Sequence, residues 1–226
     1  DPVPQTGTVR FAVLGNQGDG STGQADVASA LAGVCAASGC DFVQLLGTNI
    51  RDSGVDSATD PQWTEKFEVP YAGVDAPFFA VLGVGDYGFP QDPQRTAHQV
   101  AYTAHSAKWH MPARYYRRAV AHVEFVGLDT PPLLVAAQSA QQAAVSNWLG
   151  ASLARWKIAF GHLTYRSNGP HGNAGNYENL PLPSPVNGNL AKAFLDADAC
   201  GKADLYFAPR ARSVQWLTEP CDGTEL

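Results

Sequence analysis

The 226-residue sequence is short of charge, because Asp, Glu, Lys and Arg make up 16% of it against about 25% in typical soluble domains. With 15 Lys and Arg against 21 Asp and Glu, it lacks the basic face that a nucleic-acid-backbone binder needs. It also lacks an apolar run of the roughly 18 residues that a membrane span requires. Since 45% of the residues are hydrophobic, neither disorder nor a fibrous repeat is expected. We therefore predict one folded domain over residues 1–226, with no nucleic-acid partner and no membrane span.

Four cysteines form two local sets, Cys35 with Cys40 and Cys200 with Cys221. Three connectivities are open to four cysteines; the pairing Cys35–Cys40 and Cys200–Cys221 would close two short loops, and four free thiols are the alternative. If disulfides form, the protein belongs to an oxidising compartment, which is the extracellular space, a periplasm or an organelle lumen. The segment 1–4 has neither an initiator Met nor a leader pattern, so we expect a processed N-terminus.

Short apolar runs that end in glycine alternate with helical patterns along the chain. The runs Val9–Gly15, Asp41–Gly47 and Pro77–Gly83 predict buried strands. Further strands are predicted over 114–118, 122–128, 157–161, 204–208 and 214–217, and helices over 24–38, 61–67, 93–107, 139–156 and 190–195. Residues 163–186 form a Gly-, Asn- and Pro-rich connection of the length that is usually functional or mobile. This alternation predicts an α/β fold.

Several of these segments resemble one family. The stretches FAVLG, DFVQLLG, APFFAVLG and GLDT, together with W-x-MP-x-RYY at 109–116, are similar to those of the calcineurin-like metallophosphoesterases, and most of all to the tartrate-resistant (purple) acid phosphatase branch. The resemblance implies a four-layer sandwich of two mixed β-sheets flanked by helices, with a metal site in loops at the strand ends. It also implies that a last family strand at the C-terminus is missing from residues 1–226.

The same resemblance identifies seven positions at which active members hold two metal ions for phosphoester hydrolysis. In this sequence those positions carry Asn16, Thr48, Arg51, Val84, His162, Arg210 and Arg212. Only His162 keeps the family's residue, and Gly85 stands where the family has an acid/base imidazole. The resemblance therefore implies a pseudoenzyme with no catalytic residue, no metal and no cofactor. Such a protein would be a binding or structural subunit of a larger assembly, with other protein subunits as its partners.

Two alternatives remain open. In the first, the former active site binds a small anion (phosphate, sulfate or a carboxylate) through the set Arg51, Arg210, Arg212, His162 and His171. Against it stands a plainer interpretation, in which the arginines pair with Asp19, Asp52 or Asp86 and both histidines are structural. In the second alternative, a residual phosphatase uses a rebuilt metal site around His162, Asp86 and Asn49.

Overall fold

The computed structural model describes residues 7–218, and the chain divides into two compact units. The N-terminal unit is Val9–Arg114, and the described residues of the C-terminal unit are 7–8 and 115–218. Cys221 lies outside the described residues, so its pairing with Cys200 stays a prediction, as does the single-domain organisation.

The N-terminal unit contains a parallel sheet with the strand order β1-β2-β3-β4. Its elements are β1 (Phe11–Leu14), α1 (Thr22–Ser38), β2 (Phe42–Leu45), a π-helical turn (Thr64–Glu68), β3 (Phe78–Ala80), α2 (Val84–Tyr87), α3 (Pro93–Tyr102) and β4 (Trp109–His110). Every connection between these strands includes a helix or helical turn, which is the crossover that a parallel pair requires. The carboxyl ends of the strands consequently lie at one edge of the sheet.

An aromatic cluster forms the core of the N-terminal unit. The Trp63 ring stacks on Tyr102 with centroids 3.7 Å apart, and it meets Trp109 edge to face at 4.9 Å. Trp109 is fully buried and donates from Nε1 to the Gln99 carbonyl at 2.9 Å. This cluster fixes α3 beside the sheet, and with it the side chain of Gln99.

The C-terminal unit contains a mixed sheet with the order β10-β7-β6-β5. Its elements are β5 (Tyr116–Val120), β6 (Val123–Gly127), a 3₁₀ turn (Pro131–Leu134), α4 (Ser139–Ala151), β7 (Trp156–Phe160), β8 (Gly172–Asn173), β9 (Asn176–Tyr177), α5 (Asn189–Asp198) and β10 (Leu205–Phe207). The pair β5–β6 is antiparallel, whereas β6–β7 and β7–β10 are parallel. The small hairpin β8–β9 lies within the long connection that the sequence predicts at 163–186.

The predicted α/β fold with two sheets is confirmed, and the first sheet is parallel throughout its described strands, where the sequence led us to expect a mixed one. The predicted strand at 214–217 is wrong, because these residues are irregular and Val214 and Trp216 are exposed. The helix predicted over 139–156 ends at Ala151, since Ser152 is extended (ψ 130°) and Trp156 begins β7. The helix predicted over 93–107 ends at Tyr102.

Cys35 and Cys40 form a disulfide that joins the end of α1 to the start of β2. A disulfide indicates an oxidising compartment. Within residues 7–218, no helix combines the length and the hydropathy that crossing a membrane would take.

Candidate functional site

The loops after β1, β2 and β3 carry the first ligand positions of the resemblance. Asn16 and Thr48 both have left-handed backbone conformations, with φ of 56° and 55°. For a β-branched residue such as Thr48 this conformation is a strained outlier. At the preceding residue, Gly47, a Cβ atom would lie 2.3 Å from the backbone nitrogen of Gly83. The loops after β2 and β3 thus touch backbone to backbone at the sheet edge.

A buried carboxylate ties these loops together. Asp86 Oδ1 accepts from the backbone nitrogens of Asn49 (2.8 Å) and Ile50 (3.1 Å) and from Gln99 Nε2 (2.8 Å). Its Oδ2 accepts from the Gly83 backbone nitrogen (2.8 Å) and from Asn49 Nδ2 (3.3 Å). All five donors are neutral, and Asp86 is fully buried. Burial raises the pKa of Asp86 to about 6, although hydrogen bonds from Gln99, Gly83, Ile50 and Asn49 oppose that rise.

Asn49 is committed to the same network. Its Nδ2 donates to the carbonyl of Val81 at 2.8 Å as well as to Asp86 and to Gln99 Oε1 (3.2 Å), and its exposed fraction is 2%. Asp86 and Asn49 therefore act as a structural brace between the loops, which leaves neither side chain facing solvent.

Arg51 pairs with two of the three carboxylates anticipated for the arginines. Its Nη1 lies 3.5 Å from Asp19 Oδ2 and its Nε 3.8 Å from Asp52 Oδ1. The Arg51 side chain is 42% exposed, so these are solvent-screened surface contacts. Hydrogen bonds from Ser21 lower the pKa of Asp19, and the charge of Arg51 adds to this effect.

The replacements at Thr48 and Gly85 fit each other sterically. A Cβ atom at Gly85 would lie 2.8 Å from the Thr48 methyl carbon. A side chain at Gly85, where the family has an acid/base imidazole, would therefore require the Thr48 side chain to shift. Val84, the first residue of α2, contributes no donor atom.

In the C-terminal unit, His162 follows β7 and is 4% exposed. The backbone nitrogens of His162 and Leu163 both donate to Thr130 Oγ1 at 3.0 Å, which joins the loop after β7 to the residues after β6. The backbone of His162 is thus held at the carboxyl end of the parallel strand pair β6–β7.

Arg210, which follows β10, is ion-paired with a residue of the long connection. Its Nη2 lies 2.9 Å from Glu178 Oε1, and its guanidinium carbon lies 4.2 Å from the centroid of the Tyr177 ring. His171 Nδ1 lies 3.0 Å from Glu178 Oε1 and 2.9 Å from Oε2. Although partial burial opposes the effect, the hydrogen bonds from His171 and Arg210 lower the pKa of Glu178. We call these four residues the Arg210 cluster.

Arg212 differs from Arg210, since it is exposed and has a φ of 50°. The convergence of Arg212 and Arg210 with Arg51 stays a prediction, because Arg51 belongs to the other unit. His171 is half-buried and forms its described side-chain contact with Glu178, in keeping with the structural role anticipated as an alternative.

The residues at the family's ligand positions do not fit a two-metal centre. Val84 offers no ligand atom, and the three guanidiniums carry permanent charges that repel dications. Among residues 7–218, no group of three or more His, Cys, Asp or Glu side chains is placed to hold a metal ion. The carboxylates of Asp86, two residues from Val84, and of Glu178, which pairs with Arg210, are already engaged by internal donors.

Comparison with known proteins agrees with this fold. No known family model matches the sequence. Purple acid phosphatase 3 of Arabidopsis thaliana is 29% identical over 208 residues, which cover 80% of this chain and 55% of that protein. The structure of the yellow lupin (Lupinus luteus) purple acid phosphatase PPD1 matches 91% of this chain and 38% of its own, with a TM-score of 0.58 and 13% identity. The chain is similar to purple acid phosphatases in sequence and shares their fold.

A further solved structure of this fold is GAP50, described as the anchor in the inner membrane complex of Plasmodium. It matches 88% of the purple acid phosphatase-like chain and 65% of its own chain, with a TM-score of 0.66 and 22% identity. At these identities the two structures establish the fold alone. The chain spans 55% of the length of the Arabidopsis relative, so the activity of the whole relative does not transfer directly.

The sequence analysis did not identify three residues of the site. Glu178 and Tyr177 belong to the Arg210 cluster, and Gln99 belongs to the hydrogen-bond network of Asp86 and Asn49. Glu178 is 32 residues from Arg210, and Gln99 is 50 residues from Asn49. The only sequence feature that points to Glu178 is its place in the long connection at 163–186, whose length is typical of functional or mobile loops.

Proposed function

We propose that this purple acid phosphatase-like chain is catalytically inactive and acts as a non-enzymatic binding or structural subunit of a larger assembly. One observation carries the proposal. At a position where the family has a ligand imidazole, the Arg210 guanidinium is ion-paired with Glu178 and stacked on Tyr177. A guanidinium stays protonated and has no lone pair to offer a metal ion, so Arg210 cannot replace the ligand imidazole, and hydrolysis in this family depends on the metals.

The role as a subunit draws on two supports. GAP50, which shares the fold, is described as an anchor in a membrane complex. The charged content of 16% is low for a protein that is surrounded by water, which favours burial of part of the surface against other subunits. With the Cys35–Cys40 disulfide, such an assembly would lie outside the cell, in a periplasm or in an organelle lumen.

A second candidate function, metal-independent anion binding, is favoured by a specific feature of Arg210. Its Nη1 is buried and has no hydrogen-bond partner within the described part of the chain. The third candidate, a residual phosphatase with a rebuilt metal site, is disfavoured because Asp86 and Asn49 are buried and bonded to one another.

Hydrolysis of p-nitrophenyl phosphate tests the loss of activity. The purified chain is incubated with Fe³⁺, Zn²⁺ or Mn²⁺ and assayed at acidic and neutral pH, with a His162→Ala variant as the matched control. We expect no hydrolysis above the buffer rate in either protein. Metal-dependent hydrolysis by the wild type that the His162→Ala variant loses would contradict the proposal.

The subunit role has its own test, which is the hydrodynamic size of the protein in gentle extracts of its source. We expect it to migrate in a complex larger than the purified chain. Migration of the native protein at the size of the isolated chain, in extracts where other complexes stay intact, would contradict this part.

A further inference from the structure

The Arg210 guanidinium already holds an anion that belongs to the chain itself. The Arg210 side chain is 15% exposed, and its guanidinium lies over the Tyr177 ring. The two Nη groups are the hydrogen-bond donors at the end of this side chain. Nη2 donates to Glu178 Oε1 at 2.9 Å. An aromatic face beneath a guanidinium and an oxyanion at its end are the two partners with which arginine binds carboxylates and phosphates.

Only one of the two Nη groups of Arg210 has a hydrogen-bond partner among the described residues. Nη1 is buried and makes no hydrogen bond to any residue in the range 7–218. Both Glu178 oxygens lie within 3.0 Å of His171 Nδ1, so the carboxylate is shared between the imidazole and Arg210. Guanidinium groups bind oxyanions best through two parallel N–H···O bonds. Arg210 therefore retains capacity for a second oxygen that Glu178 does not supply.

The floor of this site is built independently of the Glu178 carboxylate. The Tyr177 hydroxyl donates to the Thr164 carbonyl at 2.7 Å. A Cβ atom at Gly188 would lie 2.1 Å from the Tyr177 ring, so glycine at this position allows the backbone to pack directly against the ring. Removal of the Glu178 charge therefore leaves Tyr177 in place beneath Arg210.

We propose that Glu178 is a built-in anion that occupies the Arg210 site and excludes free oxyanions, and that its neutralisation converts the site into one for inorganic phosphate or sulfate. This inference rests on the proposed function, in which Arg210 has replaced a metal ligand. It also refines the anion-binding alternative, because the wild-type chain competes with external anions through its own carboxylate.

Phosphate titration of the full chain, followed by calorimetry, tests the inference in four proteins. These are the wild type, Glu178→Gln, the double variant Glu178→Gln/Arg210→Gln, and Asp196→Asn. Asp196 is the matched control, since its carboxylate is ion-paired with Lys192 in the same unit and its replacement removes the same charge without touching Arg210. We expect Glu178→Gln to bind phosphate at least tenfold more tightly than the wild type, and the other two variants to bind like the wild type.

Three results would overturn the inference: no gain in Glu178→Gln, an equal gain in Asp196→Asn, or a gain that persists when Arg210 is also replaced. Circular dichroism reports whether each variant folds. If Glu178→Gln does not fold, the variant Glu178→Asp takes its place, because the shorter side chain keeps the charge but moves it away from Arg210. Its affinity for phosphate should then be at least threefold higher than that of the wild type. The inference would also be refuted if a folded Glu178→Asp shows no gain in phosphate affinity, or if both Glu178 variants unfold while Arg210→Gln folds. Hydrolysis by the wild type would instead refute the proposed function, so the two failures are distinguishable.

Discussion

The buried carboxylate of Asp86 should make the stability of the chain depend on pH in an unusual direction. Its pKa is about 6 in the folded chain against an ordinary 3.8, because burial penalises the charged form. A raised folded-state pKa contributes stability that is present below the unfolded pKa and lost as pH rises through the folded pKa. The contribution of Asp86 should therefore decline between pH 4 and pH 7.

The magnitude follows from these two pKa values. Linkage between 3.8 and about 6 gives a decline of about 2–3 kcal/mol over that pH range. Other carboxylates titrate in the same range, so the quantity to measure is a difference. We expect the free energy of unfolding of the wild type, minus that of Asp86→Asn, to be about 2–3 kcal/mol larger at pH 4 than at pH 7.

Urea unfolding followed by circular dichroism provides the assay, with Asp60→Asn as a control of opposite sign. Although burial opposes the effect, hydrogen bonds from the backbone of Asp56 and Gln62 lower the pKa of Asp60, so the wild-type advantage over Asp60→Asn should grow as pH rises. A difference for Asp86→Asn that is flat, or that increases towards pH 7, would refute the reasoning. It would mean that the five hydrogen-bond donors outweigh burial and keep Asp86 charged.

Three further predictions concern the N-terminal unit. Gly47→Ala should lower the free energy of unfolding by more than about 4 kcal/mol, because its Cβ would meet the Gly83 backbone. Gly33→Ala, on the open face of α1, should instead raise the free energy of unfolding by about 0.5–1 kcal/mol. Similar urea midpoints for the two variants would contradict the backbone contact at Gly47. Replacement of Cys35 and Cys40 by Ser should lower stability by about 2 kcal/mol through the lost five-residue cross-link, and an unchanged thermal midpoint would count against this. Arg51→Gln should change stability by less than about 1 kcal/mol, since its ion pairs are solvent-screened, and a larger loss would show a buried role that the geometry lacks.

Much of the fold could be predicted from the sequence because its buried strands coincide with short, mostly apolar stretches of consecutive residues. The strand β2 is buried at all four residues and appears in the sequence as a short run that is apolar except for Gln44 and ends at Gly47. The two-residue strand β4 and the four-residue α2 gave no periodic signal, since neither is long enough to repeat a pattern. The strand predicted at 214–217 is wrong because a short run with alternating apolar residues can also lie exposed in an irregular segment.

For the candidate site, the residue types at the ligand positions could be read from the sequence, but their partners could not. Arg51 pairs with its neighbour in sequence, Asp52, so that contact was foreseeable. Arg210 pairs with Glu178, and Asp86 accepts from Gln99, across connections that no local pattern encodes. Only the fold brings these partners together, which is why the sequence could identify the replaced ligands without identifying the contacts that now hold them.

The metal content of the natively purified protein tests the central claim most directly. Elemental mass spectrometry measures iron, zinc and manganese per chain without any assumption about substrate. The replacement of six of the seven ligand positions, with Arg210 held by Glu178, predicts far less than one metal ion per chain. One or two tightly bound metal ions per chain would show that a metal site has been rebuilt from other residues, and would contradict the account of this chain as a protein without the hydrolytic centre.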